Sequence, residues 1–408
     1  MKGKSKKGVF LLVFLGFVVW TLAPVWAAEK TEIVFGYSAP ISGGMSHVGE
    51  KIRRGYIVWS EMVNERGGIY VKEYGKKLPV KLKVYDDKSD PTTSAKLYEK
   101  LITMDKVDLV LSPYGSSIGF PVSGICQKYK MPIVMVWVSS DPIYKQGFDY
   151  VFCLIERASQ HGSSPVKVLK DRSIVPDPPK KLFFLAAKEL YNITCAKGGI
   201  EIAKKEGFET YYEEVEKGVK DFTAVITRAK TLEADGLVAV LYPQDSFLLF
   251  RQIQELGFRP KYFNGLHGPD IPDFWDTFGQ SAQGVVTLCV YAASWPTYQN
   301  KEYVERFKKK WKELPTHYGG TGVGGQIMHQ AIEKAGTLDR EKVRQVLLTE
   351  EFKCILYPRV KFVSEGPYTN INTFAFTGMS QWQDGNIHTV FPPKVATAKM
   401  IYPFPANY

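Results

Sequence analysis

Short apolar segments alternate with amphipathic segments along most of this 408-residue chain. Apolar runs of about four to eight residues indicate buried β-strands, and apolar residues at helical spacing indicate helices. The alternation runs from a predicted strand at residues 32–37 to a predicted strand at residues 262–265. Strands that are separated by helices pair in parallel and carry those helices on the faces of their sheet. The sequence therefore predicts an α/β fold, and its length predicts two lobes rather than one core.

The rhythm changes after residue 284. A predicted strand at residues 284–291 is followed by three helices without strands between them, at residues 301–314, 324–335 and 340–348. Helices that lack a sheet of their own must cover a sheet formed by another part of the chain. The tail after residue 359 is typical of short strands and turns, with a hairpin turn around Asp384-Gly385.

Pairs of serines follow two strands of this pattern. Residues 109–112 and 133–138 are predicted strands around one helix; Ser116 and Ser117 follow the first strand, and Ser139 and Ser140 follow the second. A strand, helix, strand unit closes into a parallel pair, so both serine pairs are expected at the carboxyl edge of the sheet, where open α/β sheets bind ligands.

Ser116 and Ser117 also begin a helix, and the free N–H groups at a helix start favour a carboxylate or another small anion. This edge is therefore a predicted ligand-binding site. The alternative interpretation is that the first serine pair only caps a helix and the second only forms a turn.

The first 27 residues have the pattern of a secretory signal peptide. Four lysines precede an apolar segment at residues 9–20, and Val25-Trp26-Ala27 provides a cleavage site after Ala27. A retained membrane anchor is the competing interpretation, but the apolar run is short for a bilayer span. We therefore expect a mature protein that is soluble in the periplasm or at the cell exterior.

Charge and cysteine content exclude several classes of protein. Cleavage after Ala27 removes four lysines and no acidic residue, which lowers the net charge from +11 to +7. The remaining lysines are scattered rather than clustered among aromatic residues, which argues against nucleic-acid binding. The five cysteines lie far apart without a CxxC motif, so we expect buried thiols, with one disulfide left open, and no metal or cofactor.

Glycine-rich segments do not predict a nucleotide site. The loop at residues 38–49 brings backbone N–H groups close to a ligand, but it lacks GxGxxG and GxxxxGK[ST] spacing. The glycines at residues 319–325 precede a helix without following a strand, so close helix packing is the simpler explanation.

Three groups of residues, in order along the chain, resemble a known family. The groups are Gly36-x-x-x-Pro40-x-Ser42-Gly43 before a helix that ends at Asn64-x-x-Gly67-Gly68-Ile69; Tyr85-Asp86-Asp87-x-Ser89-Asp90-Pro91; and Gly115-Ser116-Ser117 with Val138-Ser139-Ser140-Asp141-Pro142. From about residue 32 to its C-terminus, the chain is similar to the periplasmic solute-binding proteins of the branched-chain amino acid and amide ABC importers.

The resemblance implies a type I periplasmic binding clamshell whose chain crosses between two lobes near Ile155, Ala292 and Ile355. Residues 28–155 plus 292–354 are expected in lobe 1, and residues 156–291 plus 355–408 in lobe 2. A monomer that is not an enzyme would close on a small carboxylate-bearing solute, such as a branched-chain amino acid, and then dock on a membrane permease. The resemblance alone implies these lobe boundaries, this ligand class and this partner.

The resemblance also implies a set of site residues. Ser116 or Ser117, together with Ser139 and Ser140, would hold the ligand carboxylate, and Tyr242 would supply an aromatic wall. The position that holds an acidic residue for the ligand ammonium matches His267 here. Either Asp270 takes that part, or the ligand lacks an amino group, as an aromatic acid does. Trp137 is expected to wall the pocket or to belong to the core.

Two other functions remain open from the sequence. A sensory ligand-binding module could use the same fold, but it would need a receptor in trans. An exported hydrolase is less favoured, because none of the six histidines is placed by its spacing to serve a nucleophile.

Overall fold

The computed structural model describes residues 1–3 and 30–406. The predicted signal peptide, residues 1–27, therefore lies outside the described residues apart from its first three. Among the described residues, no helix combines the length and the apolar character that crossing a membrane requires.

The elements alternate as the pattern predicts. The strands are β1 (Ile33–Ala39), β2 (Ile69–Val71), β3 (Lys76–Leu78), β4 (Val80–Asp86), β5 (Leu109–Val110), β6 (Ile133–Met135), β7 (Val151–Cys153), β8 (Lys181–Ala187), β9 (Glu209–Val215), β10 (Gly236–Val240), β11 (Tyr262–Gly265), β12 (Val286–Cys289), β13 (Phe362–Glu365), β14 (Tyr368–Asn372), β15 (Gly378–Gln383) and β16 (Asn386–Phe391). The helices are α1 (Ser46–Glu65), α2 (Pro91–Thr103), α3 (Ser116–Lys128), α4 (Asp141–Tyr144), α5 (Ala158–Lys170), α6 (Leu190–Lys205), α7 (Thr223–Thr231), α8 (Pro243–Glu255), α9 (Pro272–Phe278), α10 (Asn300–Trp311), α11 (Gly322–Ala335) and α12 (Arg340–Thr349).

The first lobe contains two main sheets, with the strand orders β4-β1-β5 and β13-β14-β7-β6. β1 pairs in parallel with β4 and β5, and β7 pairs in parallel with β6 and β14. Helix α11 packs on α1, β2 and β6, while α10 packs on α1 and α12 on β13. The strandless helices thus cover the sheets of the first lobe.

The predicted parallel pair of residues 109–112 and 133–138 is replaced by a weaker link. β5 and β6 belong to different sheets, and a single parallel bridge joins Tyr114 to Trp137 beyond their ends. The Oγ atom of Ser112 accepts the N–H of Val136, and Pro113 has no N–H to offer. A regular ladder between the two strands is therefore interrupted, although their ends still meet.

The second lobe contains one seven-stranded sheet in the order β16-β15-β12-β11-β10-β8-β9. β8 to β12 are parallel, and β15 and β16 extend the sheet as an antiparallel hairpin beside β12. The hairpin turn has positive φ at Asp384 (49°) and Gly385 (83°), which matches the predicted turn.

The tail differs from the predicted lobe boundaries. Residues 355–408 were expected in the second lobe, but β14 pairs with β7 of the first lobe through Ile371 and Cys153. The Asn372 side chain reinforces this pairing by donating to the carbonyl of Leu154 at 2.9 Å. The chain therefore makes its last passage between sheets after β14, at residues 373–377, and not near Ile355.

Two hydrophobic clusters form the core. The larger cluster joins the first lobe to the inner face of the second, and the smaller cluster packs Phe183, Phe250 and Phe263 under α8 and α9. All five cysteines are buried and unbonded, in agreement with the expected buried thiols. The clusters leave a cavity where the two lobes meet.

Candidate ligand-binding site

A cavity of about 40 Å³ lies between the two lobes. The lining residues from the first lobe are Tyr114, Gly115, Ser116, Trp137, Ser139 and His317; those from the second lobe are His161, Tyr191, Tyr242 and His267, with Ile155 and Val290 on the connections.

The start of α3 forms one end of the cavity. Gly115 has a φ of 87°, a conformation that glycine adopts without strain, and it turns the chain into the helix. The first N–H groups of a helix have no partner within the helix and carry its positive dipole end. This end of the cavity therefore favours an anion.

Ser116 is the structural centre of this end. Its buried Oγ atom accepts the N–H groups of Ser139 and Ser140, each at 3.1 Å. A hydroxyl that accepts two bonds still has its own hydrogen to donate. Because Ser116 lines the cavity, that hydrogen is available to a ligand oxygen.

The four predicted serines divide into two groups. Ser116 and Ser139 line the cavity. The Oγ atom of Ser140 is buried without a hydrogen-bond partner, and Ser140 does not line the cavity. Ser117 turns the other way and donates to Glu189 of the second lobe, whose carboxylate lies 3.5 Å from Lys217. The structure thus brings one serine of each pair to the cavity.

Residues 115–119 also have the GxSxG spacing of a hydrolase nucleophile, with Ser117 in the central position. A serine nucleophile needs a base, usually histidine, within hydrogen-bond distance. The Ser117 hydroxyl contacts the Glu189 carboxylate instead. The geometry therefore gives no Ser-His pair at this motif.

Aromatic rings wall the rest of the cavity. Tyr242 lies two residues after the end of β10. It is buried and lines the cavity, where the resemblance implies an aromatic wall. Burial raises the pKa of Tyr242 well above its ordinary value, so its hydroxyl stays neutral. Trp137 serves both expected roles, because it lines the cavity while its Nε1 atom donates to Thr321 at 2.9 Å.

A chain of histidine and tyrosine side chains forms the second-lobe wall. The hydroxyl of Tyr191 lies 3.0 Å from Nδ1 of His161 and 3.0 Å from Nε2 of His267. His267 stands where an acidic residue was expected from the resemblance, and it lines the cavity. Burial lowers the pKa of His161 to about 3, so this imidazole is neutral at ordinary pH.

Asp270 lies behind the imidazoles rather than in the wall. Its Oδ1 atom accepts the N–H of Gly268 at 2.8 Å, and its Oδ2 atom lies 2.9 Å from Nδ1 of His317 and 3.6 Å from Nδ1 of His267. Burial raises the pKa of Asp270, but the adjacent His317 and His267 outweigh burial and hold that pKa below its usual range. Burial lowers the pKa of His317. Asp270 is therefore ionised in this cluster.

Formal charge is missing from the cavity wall. Among the described residues, no Asp, Glu, Lys or Arg lines the cavity. A ligand ammonium would face imidazole and phenol groups there and no carboxylate, and a ligand carboxylate would face N–H and O–H donors at the start of α3. The wall thus provides partners for an anion more readily than for a cation.

Four polar or aromatic lining residues were not predicted from the sequence: Tyr114, His161, Tyr191 and His317. Tyr114 directly precedes the Gly115-Ser116 turn, so its position after a strand was a usable signal. His161 and Tyr191 lie on α5 and α6, where helical spacing indicates only a buried face. His317 comes from the segment that returns to the first lobe, which carries no local signal of a site.

The chain is similar to proteins of one family. The periplasmic binding protein family matches residues 32–371. A Leu/Ile/Val-binding protein homologue from Brucella suis is 24% identical over 393 residues, covering 92% of this chain and 96% of the relative.

Two solved structures share the fold. A leucine-binding protein from Thermotoga maritima has a TM-score of 0.74 and 21% identity, with 88% of this chain and 97% of that chain covered. A solute-binding protein of an ABC transporter from Rhodopseudomonas palustris, in complex with 3,4-dihydroxybenzoic acid, has a TM-score of 0.72 and 20% identity, with 92% and 99% covered. The predicted type I periplasmic binding fold is confirmed. The family and these fold neighbours are substrate-binding proteins, which confirms the expectation that the chain is not an enzyme.

Proposed function

Because the chain belongs to the periplasmic binding protein family, we propose that it captures a small carboxylate-bearing solute between its lobes and delivers it to the permease of an ABC importer. The expected signal peptide places this work in the periplasm or at the cell exterior. The chain acts as a monomer that closes around its ligand. The observation that carries the proposal is the cavity between the lobes, with its anion-favouring end and aromatic walls.

The ligand carboxylate binds at the start of α3. The Ser116 hydroxyl, the Ser139 side chain and the N–H groups of the first helical turn provide donors at that end. Hydrogen bonds to a charged acceptor are roughly twice as strong as those between neutral groups. Ser117 acts indirectly, by linking the lobes, and Ser140 acts through its N–H group, which donates to Ser116.

The body of the ligand lies between Trp137 and Tyr242, against the histidine wall. A buried ammonium needs a charged or fully hydrogen-bonded partner, and Asp270 is screened from the cavity by His267 and His317. The ligand is therefore an aromatic or other apolar carboxylate without an amino group. The relative from Rhodopseudomonas palustris that was solved with 3,4-dihydroxybenzoic acid is an example of this class.

A thermal-shift screen tests the proposal on chain that has been unfolded and refolded to remove carried-over ligand. Benzoate and hydroxybenzoates are compared with leucine, isoleucine, valine and short amides. A ligand at 100 times its dissociation constant stabilises the folded chain by about 2.7 kcal/mol. We expect stabilisation by the aromatic acids; stabilisation by the amino acids alone would reject the ligand class and keep the binding function.

Tyr242→Ala provides the site-directed test. Removal of the ring that walls the cavity should weaken binding of the identified ligand at least about 10-fold in calorimetry, a loss of about 1.4 kcal/mol. Tyr70→Ala is the matched control, because Tyr70 is an exposed tyrosine on β2 that does not line the cavity. Equal affinities of the two variants, or turnover of a ligand by the chain, would refute the proposal.

A further inference from the structure

Three side chains that converge behind the cavity have the composition of a metal site. His267, Asp270 and His317 each direct one ligand atom to a common point, and these atoms all lie within 4.8 Å of one another. The three residues are buried or nearly so, with side chains that are 14%, 4% and 7% exposed. Two imidazoles and one carboxylate with open positions form a set that binds divalent transition metals.

The distances fit a small metal ion. Zinc binds imidazole nitrogen and carboxylate oxygen at about 2.0–2.2 Å, which separates neighbouring ligand atoms of a tetrahedral site by about 3.4 Å. Here Oδ2 of Asp270 lies 2.9 Å from Nδ1 of His317 and 3.6 Å from Nδ1 of His267. Small side-chain rotations bring all three atoms to such spacing.

Hydrogen bonding leaves these atoms without partners. Nδ1 of His267 is buried without a hydrogen-bond partner, and Oδ2 of Asp270 is buried with only the imidazoles of His317 and His267 beside it, at 2.9 and 3.6 Å. Buried polar atoms without a partner are rare in folded proteins. A cation between the three side chains would satisfy all of them.

The contact between Tyr191 and His267 orients the imidazole of His267 for metal binding. Tyr191 lies 3.0 Å from Nε2 of His267, on the side of the ring away from Asp270. A metal-binding histidine usually donates its other N–H to such a partner, which leaves the facing nitrogen unprotonated. With Nε2–H donated to Tyr191, Nδ1 of His267 presents a lone pair towards Asp270.

We propose that His267, Asp270 and His317 bind one divalent transition metal of the zinc class at the junction of the two lobes. His267 and Asp270 follow β11 in the second lobe, while His317 belongs to the first, so the metal holds the lobes together. His267 and His317 also line the cavity, so the open positions of the metal face the ligand. That the metal faces a ligand in the cavity rests on the proposed function.

The test measures the amount of zinc bound per chain. The protein is first treated with a chelator to remove bound metal and is then dialysed against micromolar Zn²⁺ in a buffer that contains no carboxylate. We expect one zinc per chain, and loss of that zinc in His267→Ala, Asp270→Asn and His317→Ala. Asp270→Asn keeps the oxygen that accepts the Gly268 N–H, so its fold is preserved; circular dichroism checks this. Tyr191→Phe should weaken zinc binding about 10-fold, as loss of a partner behind a ligand does.

His329→Ala is the matched control. His329 pairs with Glu333 on one face of α11, at 3.2 Å, outside the cavity, so its loss should leave one zinc per chain. Absence of zinc from the unaltered chain, or equal zinc in the control and the three ligand variants, would overturn the metal site. Benzoate binding is measured separately, with zinc bound. Absence of benzoate binding in that measurement would reject the proposed ligand class without contradicting the metal site.

Discussion

Replacement of Ser116 by alanine should destabilise the chain even before any ligand is added. The Oγ atom of Ser116 accepts two N–H groups, from Ser139 and Ser140, that are 2% and 0% exposed. A buried donor that loses its acceptor costs about 1–3 kcal/mol. Water in the cavity can replace the lost acceptor for the N–H of Ser139 but not for that of Ser140, so only one N–H is left without a partner. We therefore expect the free energy of unfolding to fall by about 2 kcal/mol.

Ser117→Ala is the matched comparison, because the two serines are neighbours at the same helix start. Ser117 is half-buried, and its partner Glu189 also has Lys217 nearby, so its removal should cost under about 1 kcal/mol. In thermal unfolding of the ligand-free chains, the Tm of Ser116→Ala should be about 2–3 °C lower than that of the unaltered chain, because unfolding a chain of about 380 residues has an entropy of about 0.8 kcal/mol/K. A Tm for Ser116→Ala within about 1 °C of that for Ser117→Ala would refute the assignment of Ser116 as the holder of the second loop.

Two further predictions concern the core. Burial raises the pKa of Asp87 to about 6, so the folded chain keeps this proton after the unfolded chain has lost it. The stability of the unaltered chain should therefore fall by about 2 kcal/mol relative to Asp87→Asn as pH rises from about 4 to about 6. Urea unfolding across that range measures the difference, and a constant difference would contradict it. An added Cβ at Gly162 would lie 1.7 Å from the carbonyl oxygen of Cys195, so Gly162→Ala should cost about 1–3 kcal/mol in urea unfolding. Gly124→Ala, which meets nothing within 4 Å, should gain about 0.5–1 kcal/mol; equal effects of the two changes would count against close packing of α5 on α6.

The sequence predicts three strands of the second lobe, at residues 181–187, 209–215 and 262–265, with the bounds observed for β8, β9 and β11. β8 and β11 are largely apolar or aromatic and are bounded by turns or charged residues, and β9 holds two tyrosines, a threonine and a valine among its three glutamates. The pairing of β14 with β7 was not predictable in the same way. Asn370 and Asn372 fix that pairing through side-chain bonds to distant carbonyls, and polar residues leave no periodic signal.

The candidate site was predictable where it depends on strand ends. Ser116, Ser139 and Tyr242 follow strands, and parallel strands end at one edge of a sheet. Which serine of each pair faces the cavity depends on the turn geometry at Gly115, which spacing does not reveal. The histidine wall depends on contacts between residues far apart in the chain, such as His317 with Asp270, and no local pattern encodes such contacts.

Contacts at the rim of the cleft contribute little to holding the two lobes together. Ser117 of the first lobe contacts Glu189 of the second, and the Nζ atom of Lys51 lies 3.8 Å from Asp273. Such solvent-exposed polar contacts contribute at most about 1 kcal/mol each. A change of the closed state from about 1% to about 99% of the molecules requires about 5.5 kcal/mol. These rim contacts fall short of that energy, so the rest has to come from buried contacts: from the hydrophobic cluster that joins the lobes, from the histidine cluster and, under the proposed function, from the ligand in the cavity. We therefore expect closure to depend on the occupant of the cavity more than on the rim.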